Sequence, residues 1–245
     1  MMISGWFTKY NEILKEFKYD KKTDVQSAIL LENMLRGKSQ FKKLEQMIEN
    51  QNVIVVGSGP SLSKSIPALK NFKKTIKIVA DSAVKPIVEN GIRPDIIVTD
   101  LDGDEQVLKK IGKTKTIFVV HAHGDNIDKL KFTKKIKNCL GTTQGKPFGK
   151  IYNFGGFTDG DRAVFLASYF NAKKIILFGM DFGNKIGKFS NTKPNERKIK
   201  IKKLKMGKYL LEWLASKTQS ELFTTSDPIP GFKKIKYKNL DIIIT

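Results

Sequence analysis

The sequence predicts an α/β protein built on a mostly parallel, Rossmann-like sheet. Two observations carry that reading. Short, mainly apolar runs rich in valine and isoleucine (53–56, 76–80 with Lys77 inside it, 96–99, 117–120 and 175–178) alternate with stretches of helical character. Runs of this length without polar alternation are strands buried on both faces, as in a parallel sheet. Each run also stops abruptly at glycine, carboxylate or histidine: Gly57-Ser58-Gly59-Pro60-Ser61, Asp81, Asp100-Leu101-Asp102-Gly103-Asp104, His121-Ala122-His123-Gly124-Asp125-Asn126 and Gly179-Met180-Asp181. The ligand crevice of such a sheet lies beyond the carboxyl ends of its strands. The unusual chemistry of the chain is therefore expected along one edge.

The elements follow in order. Residues 1–50 read as an N-terminal helical extension. Trp6, Tyr10, Ile13, Leu14 and Phe17 fall at helical spacing, followed by helices over 25–35 and from Phe41 to Ile48. Asp24 suits the cap of the second helix and Gly37 its end. Pro60 suits the first position of a helix running to Phe72. A short helix over 84–89 closes at Asn90-Gly91, and another follows the Gly155-Gly156 turn over 163–170. A polar loop (191–196) precedes a long helix over 199–217. The tail, with Pro228, Pro230 and Gly231, reads as loop and edge strand, with short apolar runs at Ile235 and 242–244. The expected division is a helical segment (1–50), an α/β catalytic domain (51–190) and a helix-and-strand tail (191–245) packed on it.

At 245 residues, 40% apolar and 10% aromatic, the chain has enough apolar material for one good core. The single cysteine, Cys139, excludes an internal disulfide framework and suits a reducing cytoplasm. Lys9, Glu12, Lys15 and Glu16 interrupt the first helix, so it is no signal peptide. No apolar stretch approaches spanning length, and a cytoplasmic protein without a membrane partner is expected. The formal charge of +21, from 45 basic and 24 acidic residues, would suit a polyanion. Lysine is spread through every segment, however, whereas a binding stripe would be local, so nucleic acid is not expected. The densest block, 198–205, reads as a solvated helix face. Aromatic surface on the N-terminal helices raises the expectation of a homo-oligomer.

Four constellations carry chemistry. Gly57-Ser58-Gly59-Pro60-Ser61 joins a strand to a helix, where glycines let the backbone approach an anion and free N–H groups point at it. It is neither a Walker A loop nor a complete GxGxxG, since Leu62 takes the third glycine position. Asp100, Asp102 and Asp104 alternate at a strand end in a very basic chain. Carboxylates so crowded repel one another unless a cation is present, and hard oxygen ligands suit Mg²⁺. The competing reading is a solvated turn in which Asp102 or Asp104 caps a helix. His121 and His123 are the only histidines, too few for a binuclear zinc site, and with Asp125 they suit phosphate contact or proton transfer. In 155–163, Arg162 beside Asp159 and Asp161, one turn into a helix, suits phosphate clamping and metal support; Thr158 or Asp159 would otherwise be a simple cap.

The order GSGPSL, DLDGD, HAHGDN, GGFTDGDRA resembles the archaeal-type 6-hydroxymethyl-7,8-dihydropterin diphosphokinases, over roughly residues 52–181. Those enzymes are distantly similar to thiamin pyrophosphokinases, which hold Mg²⁺ and ATP through a D-x-D-S and a T-D-x-x-K-A element. Asp100 and Asp102 match the first, with Gly103 in place of serine. Thr158, Asp159, Arg162 and Ala163 match the second, with arginine in place of lysine. The resemblance implies a thiamin-pyrophosphokinase-like fold and transfer of diphosphate from ATP to the hydroxymethyl group of a reduced pterin, releasing AMP. It implies Mg²⁺ on Asp100, Asp102 and Asp159, and catalytic roles for Asp102, His123, Asp125 and Arg162. ATP would contact Gly57, Ser58, Gly59, Pro60, Ser61, His121, Thr158 and Asp161. Bacterial flagellin-glycosylation accessory proteins are similar over the same stretch, which makes a nucleotide-sugar transferase the alternative, beside a thiamin-type diphosphokinase.

Overall fold

A computed structural model describes residues 3–37, 39–190 and 192–244. Three helices lead in: α1 (Trp6–Phe17), α2 (Lys21–Met34) and α3 (Phe41–Ile48). Then strand and helix alternate: β1 (Asn52–Val56), α4 (Leu62–Asn71), β2 (Ile76–Ala80), α5 (Asp81–Glu89), β3 (Ile96–Thr99), α6 (Glu105–Gly112) and β4 (Ile117–His121). A 3-10 segment, Gly124–Lys135, leads to β5 (Cys139–Thr142) and β6 (Ile151–Tyr152), and then come α7 (Asp159–Tyr169), β7 (Lys174–Phe178), α8 (Arg197–Ala215), β8 (Glu221–Thr224), β9 (Lys233–Lys234) and α9 (Asp241–Ile244). The strands form one sheet in the order β6-β5-β4-β3-β2-β1-β7-β8-β9, every neighbouring pair parallel. The α/β class stands as expected.

The sheet is covered on both sides, which is why its strands alternate nothing. Val53 and Val55 of β1 join Trp6, Tyr10, Ile13, Leu44 and Leu210 in one apolar layer. Ile54 and Val56 join Leu62, Leu69, Val84 and Leu108 in the other. Successive strand side chains point to opposite faces, so one run feeds both cores. Burying each such side chain contributes about 1.5–3 kcal/mol. Trp6 and Tyr10 of α1 are each 1% exposed and belong to the chain's own core, whereas Phe7 on the same helix is 42% exposed.

Several boundaries differ from expectation. Asp20, not Asp24, caps α2 by accepting from the Lys22 amide at 3.0 Å, and α2 ends at Met34 with Leu35 as its C-cap, ahead of Gly37. Pro60 lies in the turn before α4 rather than at its first position. The run 242–244 belongs to the short helix α9, and the edge strand is the two-lysine β9. No helix among the described residues is long and apolar enough to cross a membrane.

Candidate active site

The order of strands places the chemistry. Ala80 pairs with Val98 and Thr99 with Val120, so the residues that follow β2, β3 and β4 emerge side by side. Asp81 follows β2, Asp100 and Asp102 follow β3, and Asp159 comes over the top at the start of α7. One carboxylate oxygen from each of Asp81, Asp100, Asp102 and Asp159 lies within 4.8 Å of the others, the one such ligand group found among the described residues.

Asp81 was not among the expected ligands, yet it organises the others. Its Oδ2 accepts from the Thr99 hydroxyl, from the Asp102 amide at 3.1 Å and from the Gly103 amide at 3.0 Å. The turn is tightened further by Leu101 in the left-handed region (φ 67°), its amide donating to Thr99 Oγ1 at 2.7 Å. A Cβ on Gly103 would sit 2.0 Å from Asp81 Oδ1, so glycine stands here because Asp81 needs the room. Asp104, by contrast, is a helix cap: its Oδ1 accepts from the Val107 amide at 3.0 Å and its Oδ2 meets Lys85 at 2.8 Å.

Three buried oxygens, Oδ1 of Asp81, Asp100 and Asp159, have no hydrogen-bond partner. Buried polar atoms are rarely left so, and three converging on one point call for a water, an ion or a ligand between them. The electrostatics agree. Burial, reinforced by Asp102 and Asp100, pushes the Asp81 carboxyl up to about 7. Burial and Asp100 push Asp102 up to about 6. Asp159 is driven well above the carboxylate range by burial and then by its three neighbours. Burial would raise Asp100 too, but His123, Asp102 and Arg162 together outweigh it and hold this carboxylate below the usual range. Crowded, desolvated and unpaired oxygens of this kind fit a hard divalent cation.

His123 Nε2 lies 3.3 Å from Asp100 Oδ2, and its Nδ1 accepts from the Asp125 amide at 3.3 Å, which leaves the ring proton on Nε2 facing Asp100. Asn126 fixes both partners: its Nδ2 donates to the carbonyls of Asp100 (2.9 Å) and His121 (2.7 Å), and its Oδ1 accepts from the His123 amide (3.1 Å). Asp24, expected as a cap, instead ties α2 to this turn, accepting from the Tyr10 hydroxyl at 2.7 Å and the Gly124 amide at 3.0 Å. Arg162 is buried with Nη1 3.7 Å from Asp159, and its Nε has no partner. Asp24, Asp100, Asp102, His123, Asp159 and Arg162 line a cleft of about 560 Å³, with Asp125 and Thr158 at its wall. Lys200 and Lys203 of α8 line it too, Lys203 Nζ lying 5.7 Å from the Tyr19 ring centroid and 6.0 Å from that of Phe157. Two lysines of the block expected to be a solvated face thus belong to the site.

Other expectations are corrected. Asp161 does not line the cleft. It is fully buried and caps its own helix, accepting from the amides of Phe157 (2.5 Å) and Thr158 (2.8 Å) and from the Thr158 hydroxyl. His121 is also buried beneath the site, 3.1 Å from Thr142 Oγ1, and burial with Arg162 and His123 holds it well below the imidazole range, hence neutral. The start of α4 is no open phosphate cradle. Asp181 Oδ2 already accepts from the Ser61 amide (2.9 Å) and hydroxyl (2.7 Å). Gly57, Ser58 and Gly59 line a recess of about 80 Å³ that shares Ser82, Asp159 and Lys200 with the cleft, whereas Pro60 and Ser61 do not face it. A Cβ on Gly59 would lie 2.2 Å from Asp181 Oδ2 and 2.7 Å from the Gly179 carbonyl. Gly59→Ala is therefore expected to destabilise the fold by about 1–3 kcal/mol, read from the urea midpoint.

Comparison with known proteins decides the family. The family model described as 6-hydroxymethylpterin diphosphokinase MptE-like matches residues 28–187. The chain belongs to this family. The 6-hydroxymethyl-7,8-dihydropterin pyrophosphokinase of Methanocaldococcus jannaschii is 44% identical, over 90% of this chain and 99% of its own length. Its namesakes from Pyrococcus furiosus and Methanothermobacter thermautotrophicus are 40% and 36% identical, over 90% and 87% of this chain and 97% and 95% of their own lengths. Among solved structures, the MAf glycosyltransferase of Magnetospirillum magneticum AMB-1 superposes with a TM-score of 0.59 at 15% identity, over 89% of this chain and 38% of that larger one. That likeness concerns the fold alone. Within the diphosphokinase family, the carboxylate cluster and α7 lie inside the matched region, while α1 and α8 lie outside it.

Proposed function

We propose that this chain transfers diphosphate from ATP to the hydroxymethyl group of 6-hydroxymethyl-7,8-dihydropterin and releases AMP. The observation that carries the proposal is the cluster of Asp81, Asp100, Asp102 and Asp159, in which three buried oxygens have no hydrogen-bond partner, beside a cleft that Arg162, Lys200 and Lys203 also line. Anionic and cationic groups arranged this way suit a polyphosphate that carries its own cation. The acceptor oxygen forms a bond to the β-phosphorus while the bond from that phosphorus to the oxygen of the α-phosphate breaks, so AMP leaves in line. Catalysis is then mainly positioning and charge neutralisation.

Asp100, Asp102 and Asp159, joined by Asp81, would hold Mg²⁺, which when bound offsets the charge of phosphate oxygens. Arg162, fixed against Asp159 and with a free Nε, steadies the transferred group from beside the cluster. Lys200 and Lys203 bring further positive charge from α8. His123 donates to Asp100 and keeps it ionised; Asp125, at the cleft wall, accepts the alcohol proton. The recess at Gly57 to Gly59 lies where β1 has β2 on one side and β7 on the other, the switch point of the sheet; too small for a nucleotide itself, it marks the side of the shared cleft on which the nucleotide of ATP lies. Purified protein given ATP, Mg²⁺ and the reduced pterin should form AMP and pterin diphosphate in equal amounts. Formation of ADP, or no AMP, would overturn the assignment.

A further inference from the structure

The cleft is also lined by Gln144, a buried side chain with no part in the chemistry above. Gln144 is 4% exposed, lines the cleft, and its Oε1 has no partner. Its backbone, by contrast, is held from two sides. The Gln144 carbonyl accepts from Trp6 Nε1 at 2.9 Å and from Asn153 Nδ2 at 2.8 Å, and Asn153 also donates to the Gly145 carbonyl at 2.7 Å. Trp6 and Asn153 are themselves buried, so the peptide carrying the amide is rigid. A buried amide oxygen left unpaired on so fixed a backbone is a recognition group awaiting its partner.

The neighbouring wall is aromatic. Tyr19 and Phe157 line the same cleft, their centroids 6.3 Å apart, and Phe17 packs behind them, 4.7 Å from Phe157 and 5.7 Å from Tyr19. Lys203 Nζ stands over both rings, 5.7 Å from the Tyr19 centroid and 6.0 Å from that of Phe157, so a flat heterocycle laid against this wall takes the place of that ammonium. Resting on the function proposed above, we infer that Gln144 reads the pyrimidine edge of the acceptor pterin, with Tyr19 and Phe157 as its stacking wall. The side-chain amide presents an acceptor and a donor in one plane, matching the N3–H donor and the O4 acceptor of a 2-amino-4-oxo ring. Adenine offers a comparable edge, but in-line transfer puts the leaving AMP across the β-phosphorus from the acceptor. With the nucleotide on the side of the Gly57–Gly59 recess, which Gln144 does not line, the part of the cleft at Gln144 falls to the acceptor. Two parts of this subsite, Trp6 and Tyr19, come from the segment ahead of residue 28, outside the region matched by the family model.

Gln144→Met keeps the volume and removes the paired hydrogen bonds. It should raise the pterin KM about 10- to 100-fold, the usual effect of leaving a buried polar group unmatched, with the ATP KM unchanged. Quenching of oxidised 6-hydroxymethylpterin fluorescence, titrated without ATP, should show its Kd weakened by the same factor. Tyr19→Leu should give the same split at about 3- to 10-fold, and carries the test if the first variant does not fold. An unchanged pterin KM and Kd in both variants, with wild-type turnover intact, would overturn this assignment alone, as would a rise confined to the ATP KM. A wild-type protein that neither binds nor turns over the pterin would instead bring down the reading on which it rests.

Discussion

Asp81→Asn is expected to lower diphosphate transfer by roughly a thousandfold, because charge stabilisation by a bound cation is worth several kcal/mol and each ~1.4 kcal/mol is a factor of ten. The substitution is nearly isosteric. Its remaining oxygen can still accept from Thr99 and from the amides of Asp102 and Gly103, so the turn after β3 should keep its shape. What disappears is one charge of the four and the unpaired Oδ1 that faces the cluster. Asp102→Ala and Asp159→Asn should produce losses of the same order, since each removes one member of the same ligand group. Steady-state rates at saturating Mg²⁺, with circular dichroism to verify the fold, decide the matter. Turnover within threefold of wild type in Asp81→Asn would show that the cluster is only a structural turn.

The second large effect concerns stability and pH. Asp81, pushed up to about 7, and Asp102, pushed up to about 6, hold protons in the folded chain that they lose more readily when unfolded. Asp159 is shifted in the same direction. A carboxyl with a raised folded value favours folding fully below about pH 4, its unfolded value, and that contribution is lost as pH rises through 6 and 7. Asp100, shifted the other way, is already ionised throughout this window. The metal-free protein should therefore melt lower at pH 8 than at pH 5. Mg²⁺ should reverse this, most strongly at pH 8, because at pH 5 it must first displace protons. A hundredfold excess of ion over its Kd adds about 2.7 kcal/mol, or roughly 5–10 °C for a chain of this size. Melting curves with EDTA and with Mg²⁺ at the two pH values test it; a Mg²⁺ effect equal at both would contradict the shared-charge account.

The central sheet was legible because β1 to β4 and β7 are β-branched runs buried on both faces. The remaining strands lacked that signal. β5 carries Cys139 and Gly141, β6 and β9 have two residues each, and β9 consists of two exposed lysines on the sheet edge. Ile242, Ile243 and Ile244 have strand-like composition, yet they form the helical turn that opens at Asp241. In the site, Asp100, Asp102 and Asp159 were visible through their density in a basic chain. Asp81 stands alone in its segment and becomes a ligand only because β2 lies beside β3, a fact of topology rather than of local sequence. Residue type could not separate Asp159 from Asp161 either: two positions apart on one helix, the first faces the cleft and the second turns back on its own cap. Lys200 and Lys203 were hidden for a similar reason, since a lysine-rich helix face looks solvated until the cleft it overhangs is known.

Calorimetric titration of Mg²⁺ into the protein at pH 8, in the presence of a non-hydrolysable ATP analogue, measures the cluster itself. Saturable binding in the wild type that is lost in both Asp81→Asn and Asp159→Asn is the predicted result. Undiminished binding in those two variants would place the cation elsewhere and contradict the account.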